Sequence, residues 1–578
     1  MSDQTALEKY QQWCEQPHLP ADLKSDLEAI QGDEKAIVSR FGTDLDFGTG
    51  GMRGVMGAGL NRMNIYTVRR ASFALAQHVL AKGADKAKQG VVIGYDCRHN
   101  SDIFARIAGC ALAAAGVKAY VSPLLCPTPE LSWCVRYLHA AGGIMITASH
   151  NPPAYNGYKV YNQHGGQVLE DDAHDIHSHM LAISDVFSVP TVTVEEATAK
   201  GLYETVSTTV RAAYLEAVLA NVKDGRVQAA DREKLYVVYT PLHGTGLVPI
   251  REALHAAGYE HTQVVPSQAE PDGDFSTVKS PNPEEPEALE LAIAQAKATG
   301  ADLVMGSDPD ADRVGIAVRA QKDEFRLLTG NQVGALLVDY FVGKQAQGEP
   351  RRNPIVFNTV VTSDFGAAIA QQAGVAVEST LTGFKYIGDR ITAYEASGEH
   401  ELLVGYEESY GYLVSPIVRD KDAVQSCLAI AEMAAYHKAS GRTLVDRLEE
   451  LYQQYGYYGE KLVSVALSGE DGPARMQQAL ESLRKEPLTV SGFHLAYTED
   501  YLTRERHFVD KTKPDEALTL PKSDVQKFVY QGGHWVAIRP SGTEPKMKVY
   551  VAVRGKSHDE CDALLKRLED GLASRVHV

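Results

Sequence analysis

The chain has 578 residues, of which 44% are hydrophobic and 23% are charged, and its formal net charge is −18 at pH 7. This length exceeds the size at which one hydrophobic core keeps growing, so several domains are expected in an otherwise ordinary globular composition. The negative charge argues against general nucleic-acid binding or attachment to an anionic membrane surface, but it allows an anionic small substrate beside local Arg and Lys residues.

Seven scattered cysteines form no CxxC pair, a pattern that suits reduced thiols in a cytosol and offers no zinc site. The polar start MSDQTALEKYQQWCEQ does not have the character of a signal peptide, and no long uncharged apolar run could span a bilayer. We therefore expect a multidomain cytoplasmic protein without nucleic-acid or membrane partners. The sequence leaves its oligomeric state open.

The predicted elements begin with extra helices in the first forty residues. An apolar strand, a polar loop, an alanine-rich helix and a second strand then recur three times, and the helices close at Gly116, Gly258 and Gly374. Glycine tolerates the left-handed conformation that ends a helix, and buried strands around such helices indicate parallel βαβ units. The final part alternates in HWVAIRP and KMKVYVAVRG before an amphipathic helix. The sequence thus predicts an α/β protein with three similar α/β domains and a C-terminal antiparallel α+β domain.

The first candidate loop is FGTGGMRG, which places Arg53 after clustered glycines. Arg53 stands where GxGxxG requires its third glycine, and no strand–helix context precedes it, so an anion-binding nest of backbone N–H groups is favoured over dinucleotide binding. Two further polar loops are interpreted as structural turns at strand ends: DCRHNS, with Asp96, Arg98 and Ser101, and PLHGTG, with His243.

In ITASHNP a serine and a histidine, Ser149 and His150, follow the apolar run that ends at Ile146. No GxSxG elbow surrounds Ser149, and adjacent residues rarely direct their side chains at one another, so we do not expect His150 to be the base of a hydrolase triad. Two interpretations stay open from this stretch alone. Ser149 could carry a phosphoryl group, since phosphoserine offers about −1.5 to −2 charges and hard oxygens to Mg²⁺, or it could be a polar residue in a turn before Asn-Pro.

Three alternating aspartates, Asp308, Asp310 and Asp312, follow the apolar run LVMGS in the loop DPDADR. They can converge only around a cation, and oxygen ligands favour Mg²⁺, Mn²⁺ or Ca²⁺. An EF-hand does not fit, because Arg313 takes its glycine position and Arg319 its glutamate position. A phosphatase with an aspartyl nucleophile and a solvated acidic turn are the alternatives. We favour a metal site, to which a phosphorylated Ser149 would add the ligand that is still wanted.

The remaining polar loops carry side chains that suit either sugar hydroxyls or a phosphate. GYEESYGYL offers Glu407 and Ser409 between glycines and aromatics, which suits sugar hydroxyls, although a solvated glutamate at a strand end is the commoner case. An arginine fork, hydroxyls and a glycine that frees backbone N–H groups suit a phosphate in the hairpin loop RPSGTEPKMKVY; the alternative there is an ordinary Pro-Ser-Gly turn. The candidates in that loop are Arg539, Ser541, Gly542, Thr543 and Lys548, and adjacent loops add Thr382, Gly383 and Lys385 in LTGFKYIGDR and Lys421 in RDKDA.

TASHNP, DPDADR, GYEESYG and RPSGTEPK occur in this order, one in each predicted domain. This combination closely resembles the α-D-phosphohexomutase superfamily of phosphoglucomutases and phosphomannomutases, over nearly the whole chain. The resemblance implies four domains around a central cleft, with Ser149 as the phosphoserine and one Mg²⁺ per subunit held by Ser149, Asp308, Asp310 and Asp312. It also implies that Glu407 and Ser409 recognise sugar hydroxyls and that the RPSGTEPK loop binds the non-reacting phosphate.

The predicted domain boundaries follow these motifs. Residues 1–210 hold the helical extension and domain I with the phosphoserine loop, and residues 211–325 hold domain II with the metal loop. Residues 326–455 hold domain III with the sugar-recognition loop, and residues 456–578 hold domain IV with the phosphate-binding loop.

The implied reaction moves phosphate between the 1- and 6-positions of a hexose phosphate, with glucose 1,6-bisphosphate as intermediate and activator. Metal and cations would stabilise the transferring group, with Arg53 and Arg313 near it. A base must deprotonate the accepting hydroxyl, and the resemblance leaves its identity open among His150, Lys159, Lys385 and Lys421.

Departures from the common family pattern bear on the substrate. Gly50 and Gly51 stand where the first loop often reads TSG, and this feature, the helical N-terminus and the GYEESYGY loop are similar to the subgroup of phosphoglucomutases and phosphopentomutases. We therefore predict α-phosphoglucomutase activity, with phosphopentose as the leading rival and mannose phosphate as a side activity. Outside this class, a metal-dependent sugar-phosphate phosphatase and an inactive sugar-phosphate sensor are the alternatives.

Overall fold

The computed structural model describes residues 3–48, 50–321, 323–348, 350–466, 472–540 and 546–576. The chain forms two compact units, one of residues 1–330 and 384–443 and the other of residues 331–383 and 444–578. Within the described ranges, no helix combines the length and the apolar character that crossing a membrane requires. The seven cysteines all lie in these ranges and are free thiols.

The first unit opens with three helices, as the sequence predicts. Their apolar faces bury Trp13, Leu27 and Phe41 against Tyr66 in a small core of their own. The third of these helices begins at a proper cap, because the Asp33 carboxylate accepts a hydrogen bond from the Ala36 N–H. In chain order the α-helices of this unit are Asp3–Cys14, Ala21–Ala29, Glu34–Phe41, Ile65–Ala81, Ala84–Gln89, Ser101–Ala114, Thr128–Tyr137, Glu170–Leu181, Val194–Ala199, Thr208–Val222, Ala229–Glu233, Leu247–Ala257, Glu290–Thr299, Phe384–Ser397 and Ala423–Ala439, with short 3₁₀ helices at Pro266–Gln268 and Pro286–Leu289.

Two sheets of the first unit share one plan. Each sheet has a set of parallel strands and one strand that is antiparallel to both of its neighbours. The order across the first sheet is Gly51–Val55, Tyr155–Asn162, Gly142–Ile146, Val91–Tyr95, Ala119–Val121 and Tyr203–Thr205. The order across the second is Glu324–Leu328, Val314–Gln321, Leu303–Ser307, Val237–Thr240 and Thr262–Val264.

The reversed strand explains where the polar loops lie. The serine loop joins Gly142–Ile146 to the reversed strand Tyr155–Asn162, and the aspartate loop joins Leu303–Ser307 to the reversed strand Val314–Gln321. The sugar loop is placed in the same way, because it joins strand Glu401–Tyr406 to its antiparallel neighbour Tyr412–Leu413. The strands before these loops are buried, apart from the exposed Glu401 at the start of the third, so each loop begins at the end of a core strand.

The second unit contains a parallel βαβ unit and an antiparallel sheet. Strands Pro354–Thr359 and Ala376–Thr380 pair in parallel on either side of helix Asp364–Gln372. Seven antiparallel strands follow, in the order Tyr457–Ala466, Lys546–Gly555, His534–Pro540, Gln526–Tyr530, Leu495–Asp500, Glu505–Phe508 and Glu516–Ala517. The other helices are Gly330–Gln347, Leu444–Tyr455, Gly472–Lys485 and His558–Val576.

The predicted fold class is confirmed. The three glycines expected to close helices have φ angles of 87° at Gly116, 106° at Gly258 and 73° at Gly374, which is the left-handed region that a side chain would disfavour. The last domain is antiparallel with a closing helix, and its core gathers alternate residues of the long strands, such as Val549, Val551 and Val553, against Leu568 of that helix.

Candidate active site

The serine loop has an unusual backbone at Ser149. Ser149 is buried and has a φ angle of +50°, and its N–H donates to the Thr147 hydroxyl at 2.8 Å. A non-glycine residue in this region is uncommon and points to a constraint imposed by the surroundings. The loop therefore presents the Ser149 hydroxyl in one fixed direction.

That direction is towards the aspartate loop. The Ser149 hydroxyl donates to Asp308 Oδ2 at 2.8 Å, which joins the first two α/β domains at their reactive loops. The backbone N–H groups of Asp312 and Arg313 donate to the other oxygen of Asp308 at 3.1 and 3.0 Å, so this carboxylate is held from both sides. Burial, together with the negative charges of Asp310 and Asp312, raises the pKa of Asp308 well above its ordinary value.

The three predicted metal ligands converge as the sequence indicates. Asp308, Asp310 and Asp312 are buried, and a carboxylate oxygen from each lies within 4.8 Å of the others. Asp310 Oδ1 and Asp312 Oδ1 are buried and accept no hydrogen bond from any described residue. Three close carboxylates, two of which keep a buried oxygen that accepts no hydrogen bond from the described part of the chain, fit a hard divalent cation of the Mg²⁺ kind. The residues present thus pass the test for the metal that the resemblance implies.

Two lysines supply positive charge to this cluster. Lys159 Nζ lies 2.8 Å from Asp310 and 3.6 Å from Asp312, and Lys421 Nζ lies 3.3 Å from Asp312. Burial opposes the charged form of each lysine, but the aspartates outweigh it and raise the pKa of both. At Asp310 burial acts to raise the pKa, but the positive charge of Lys159 outweighs it and holds the pKa below its ordinary value. The lysines therefore stay charged in this site.

Two arginines complete the charged surroundings. Arg53 lies on a strand that pairs with Tyr155–Asn162, and it donates to Asn151 Oδ1 in the serine loop at 3.0 Å. Arg313 pairs with Glu284 and Asp312, and its pKa is raised because the carboxylates outweigh burial. Both predicted arginines are thus attached to the loops that carry Ser149 and the aspartates.

One premise used for His150, that its side chain and that of Ser149 point apart, does not hold. Its Nδ1 lies 3.2 Å from the Ser149 hydroxyl, so the adjacent side chains do meet. The rule that neighbouring side chains diverge assumes an ordinary backbone, whereas Ser149 is left-handed and changes the direction of the chain between them. Burial, and then the nearby Arg313 and Arg53, lower the pKa of His150 well below its ordinary value, so its ring is neutral.

Another residue of the serine site was interpreted from the sequence only as part of a structural turn. The buried Arg98 donates to four backbone carbonyls of the serine loop, those of Ser149, Asn151, Pro152 and Tyr155. It also lies beside the buried Asp96, at 3.3 Å. The turn is structural, but what it supports is the loop of Ser149. No local pattern marks this role, because the partners lie more than fifty residues away.

The sugar loop lies beside Lys421. Glu407 is buried and its N–H donates to the Gly411 carbonyl at 2.9 Å across the turn, while Ser409 is partly exposed. A Cβ on Gly411 would lie 2.0 Å from Lys421 Cδ, so a side chain at residue 411 would clash with the Lys421 side chain in its present position. Lys385, the other predicted cation, donates to Glu170 at 2.8 Å.

Several predicted site residues belong to the second unit. The Thr382 hydroxyl is buried and has no hydrogen-bond partner among the described residues, and Gly383 has a φ angle of 120°. Arg539 and Lys548 lie directly opposite each other on neighbouring antiparallel strands. The Arg539 guanidinium also donates to the Tyr550 hydroxyl, at 3.2 Å from Nε and 3.0 Å from Nη2. Ser541, Gly542 and Thr543 lie outside the described residues.

Comparison with known protein families matches the chain to four consecutive domains. Residues 44–186, 212–321 and 329–455 match alpha/beta/alpha domains I, II and III of phosphoglucomutase/phosphomannomutase, and residues 497–570 match its C-terminal domain. The chain belongs to the phosphoglucomutase/phosphomannomutase family. The predicted family and the prediction of a phosphosugar mutase, an enzyme that transfers phosphate intramolecularly, are thereby confirmed.

Individual members of this family are similar along most of their length. A phosphoglucomutase of Staphylococcus epidermidis is 38% identical over 92% of this chain and 94% of its own. A phosphoglucomutase/phosphomannomutase family protein of Burkholderia thailandensis has the same fold, with a TM-score of 0.66 at 18% identity over 92% of this chain and 97% of its own. Parafusin, a phosphoglucomutase of Paramecium in its open form, has a TM-score of 0.67 at 19% identity over 93% of this chain and 96% of its own.

Proposed function

We propose that this chain is an α-phosphoglucomutase that works through a phosphoserine at Ser149 and glucose 1,6-bisphosphate. The proposal depends above all on the 2.8 Å hydrogen bond from the Ser149 hydroxyl to Asp308, one of three converging aspartates. A phosphate on this oxygen would face carboxylates and could stay there only with a cation between them. The phosphate carrier and the metal site are therefore two parts of one centre.

We propose one Mg²⁺ per subunit as that cation, held by Asp308, Asp310, Asp312 and an oxygen of the phosphoserine. The unpartnered oxygens of Asp310 and Asp312 supply ligands of the hard type that Mg²⁺ prefers. When bound, the ion supplies Lewis-acid chemistry by neutralising charge on the phosphoryl group. The chain's own residues then determine which groups surround that phosphate.

Charge stabilisation and positioning are the main forms of catalysis in phosphoryl transfer. Arg53 and Arg313 are attached to the serine and aspartate loops, and we assign them to the transferring group. Lys159 and Lys421 neutralise Asp310 and Asp312, which lessens the repulsion between the carboxylates and an incoming phosphate.

The proton steps favour His150 over these lysines. A base must be neutral to accept a proton, and burial beside two arginines keeps His150 neutral, whereas the aspartates keep Lys159 and Lys421 charged. When phosphate returns to the enzyme, the Ser149 hydroxyl must lose its proton. In the structure this proton is donated to Asp308, and His150 Nδ1, at 3.2 Å, can accept it once the hydroxyl rotates from Asp308 towards His150.

We assign the non-reacting end of the substrate to the remaining loops. Glu407 and Ser409 would accept hydrogen bonds from sugar hydroxyls, and Arg539 with Lys548 would bind the second phosphate. Ser541, Gly542 and Thr543 join this phosphate site in the proposal, and Thr382, Gly383 and Lys385 join the substrate site. The predicted domain boundaries, the central cleft and the cytoplasmic location stay predictions.

Glucose phosphate is the substrate that the relatives support. The 38% identical protein from Staphylococcus epidermidis is named a phosphoglucomutase, which favours glucose over mannose or a pentose. The test is turnover with glucose 1-phosphate, mannose 1-phosphate and ribose 1-phosphate, each primed with its bisphosphate. The glucose ester should turn over fastest, and a higher rate with ribose 1-phosphate would replace this assignment by a phosphopentomutase.

A Ser149→Ala variant tests the carrier. Conversion of glucose 1-phosphate, followed by a coupled glucose 6-phosphate dehydrogenase, should fall to background because the acceptor oxygen is gone. Intact-mass spectrometry should find phosphate on the wild type but not on the variant. Ser178→Ala, at an exposed helical serine, is the matched control and should behave as wild type. Near-normal turnover of Ser149→Ala would exclude the carrier role, and release of inorganic phosphate without glucose 6-phosphate would indicate a phosphatase.

A further inference from the structure

Residues 270–277 of the second α/β domain contact the side chain that holds the serine loop. The buried Phe275 places its ring 4.9 Å from the Arg98 guanidinium. The same guanidinium donates hydrogen bonds to the backbone carbonyls of the serine loop, including that of Ser149. A cation on an aromatic face in a buried site is held more firmly than one in water. Phe275 therefore limits where Arg98, and with it the serine loop, can lie.

The same segment also contacts the residues that hold the aspartate loop. His243 is bonded to it twice, through Nε2 to the Thr277 hydroxyl at 2.8 Å and through Nδ1 to the Glu270 carbonyl at 3.0 Å. Two residues after His243, the Thr245 N–H donates to the carbonyl of Pro309 at 2.8 Å. A Cβ on the intervening Gly244 would lie 2.4 Å from Pro309 Cα, so the two loops are in direct contact.

The backbone of this connection is strained where it makes its contacts. Phe275 has a φ angle of 50° and His243 one of 64°. For a residue as bulky as phenylalanine, the left-handed region is a true outlier. Such strain persists only where the surroundings determine the conformation, and it is concentrated near functional sites. A glycine or asparagine would adopt this backbone conformation with less strain, so the presence of phenylalanine indicates a role for its ring.

We propose that Phe275 is a positioning residue for phosphoryl transfer. It fixes Arg98, and thereby sets the distance between the Ser149 hydroxyl and Asp308, while the Thr277–His243 contact fixes the loop of Asp308 from the same segment. This inference rests on the proposed function, because it assigns no contact between Phe275 and substrate. Its consequence is kinetic: losing the ring changes the chemical step rather than substrate binding.

A second pair of the same kind serves as the matched control. The Arg319 guanidinium lies 4.8 Å from the Phe325 ring and donates to the carbonyls of Ala301 and Ala296. This pair lies in the same domain, on the strands Val314–Gln321 and Glu324–Leu328. It has the same kind of contact as the Arg98–Phe275 pair, but the two carbonyls that Arg319 bonds lie outside the serine and aspartate loops. Any effect that comes only from losing an arginine–phenylalanine contact should therefore appear in both.

The experiment compares Phe275→Leu with Phe325→Leu in the full chain with Mg²⁺. For Phe275→Leu we expect kcat to fall about tenfold and KM for glucose 1-phosphate to stay within about twofold. The ³¹P resonance of the phosphoserine should shift, and Phe275→Tyr should restore both readings. Phe325→Leu should lose thermal stability while keeping kcat within about twofold. If Phe275→Leu does not fold, Phe275→Met takes its place.

Combination with Arg98→Lys decides whether Phe275 acts through Arg98. The double variant should be no slower than Arg98→Lys alone, because two changes in one chain of contacts are not additive. Independent, multiplying losses would overturn the proposal, and so would a normal kcat and ³¹P shift in Phe275→Leu. Wild-type turnover in the same assay tests the proposed function separately, so the two failures are distinguishable.

Discussion

Replacing Lys159 with methionine should destabilise the metal-free protein. The lysine side chain is 14% exposed, and Asp310 and Asp312, its two partners, are almost completely buried. Breaking a buried ion pair by removing one partner costs about 3–5 kcal/mol, because the remaining charge is uncompensated. Lys421 still lies 3.3 Å from Asp312 and compensates part of the negative charge that Lys159 leaves. We therefore expect the lower value, a loss of about 3 kcal/mol.

Urea denaturation with and without Mg²⁺ measures this effect. In a chelator the variant should lose the full amount, and Mg²⁺ should return part of it, because the ion supplies the missing positive charge. The wild type should gain about 2.7 kcal/mol at a Mg²⁺ concentration 100 times its Kd, and the variant should gain more from the same addition.

Lys438→Met is the matched control for this comparison. Lys438 pairs with Asp302 at 2.6 Å, but its side chain is 37% exposed, so the loss should stay below about 1 kcal/mol and should not respond to Mg²⁺. Equal losses in the two variants, or an equal Mg²⁺ gain in wild type and Lys159→Met, would refute the view that Lys159 balances a cation site.

Three further predictions test other parts of the molecule. Asp310→Asn should lower kcat for glucose 1-phosphate by more than it raises KM, since the metal acts on the transferring group; a change in KM alone would contradict its assignment. Arg539→Ala should raise the KM of both glucose 1-phosphate and glucose 6-phosphate by about tenfold or more, and a normal KM for either would count against the phosphate site. Burial raises the pKa of Glu460 from 4.5 to about 7, and hydrogen bonds with Ser363 and Asn331 oppose this only in part. A stabilising contribution of about 3 kcal/mol should therefore be present below pH 4.5 and disappear as the pH rises through 7, and Glu460→Gln should remove this pH dependence in urea titrations.

Local sequence pattern was sufficient for the elements and for the three aspartates. Gly116, Gly258 and Gly374 mark helix ends because only a residue without a Cβ enters the left-handed region freely. The aspartates alternate directly after a buried strand, and this spacing favours an arrangement in which their carboxylates surround a common point. Both inferences depend on chemistry within a few residues, so they needed no tertiary structure.

Tertiary contacts account for what the sequence did not predict. Arg98 looked like part of an ordinary turn because its four carbonyl partners are brought to it only when two strands pair. The direction of the His150 side chain was not foreseen because the backbone at Ser149 has a positive φ angle. The Phe275–Arg98 contact joins two domains, and no periodicity or motif within either one marks it.

The positive φ angle at Ser149 also restricts which amino acid could carry the proposed phosphate at this position. Threonine has the same nucleophilic oxygen, but its branched Cβ is poorly tolerated at a positive φ angle. The main chain of this loop thus discriminates between a primary and a secondary alcohol through conformation alone. Backbone conformation, rather than reactivity, limits this position to the smaller of them.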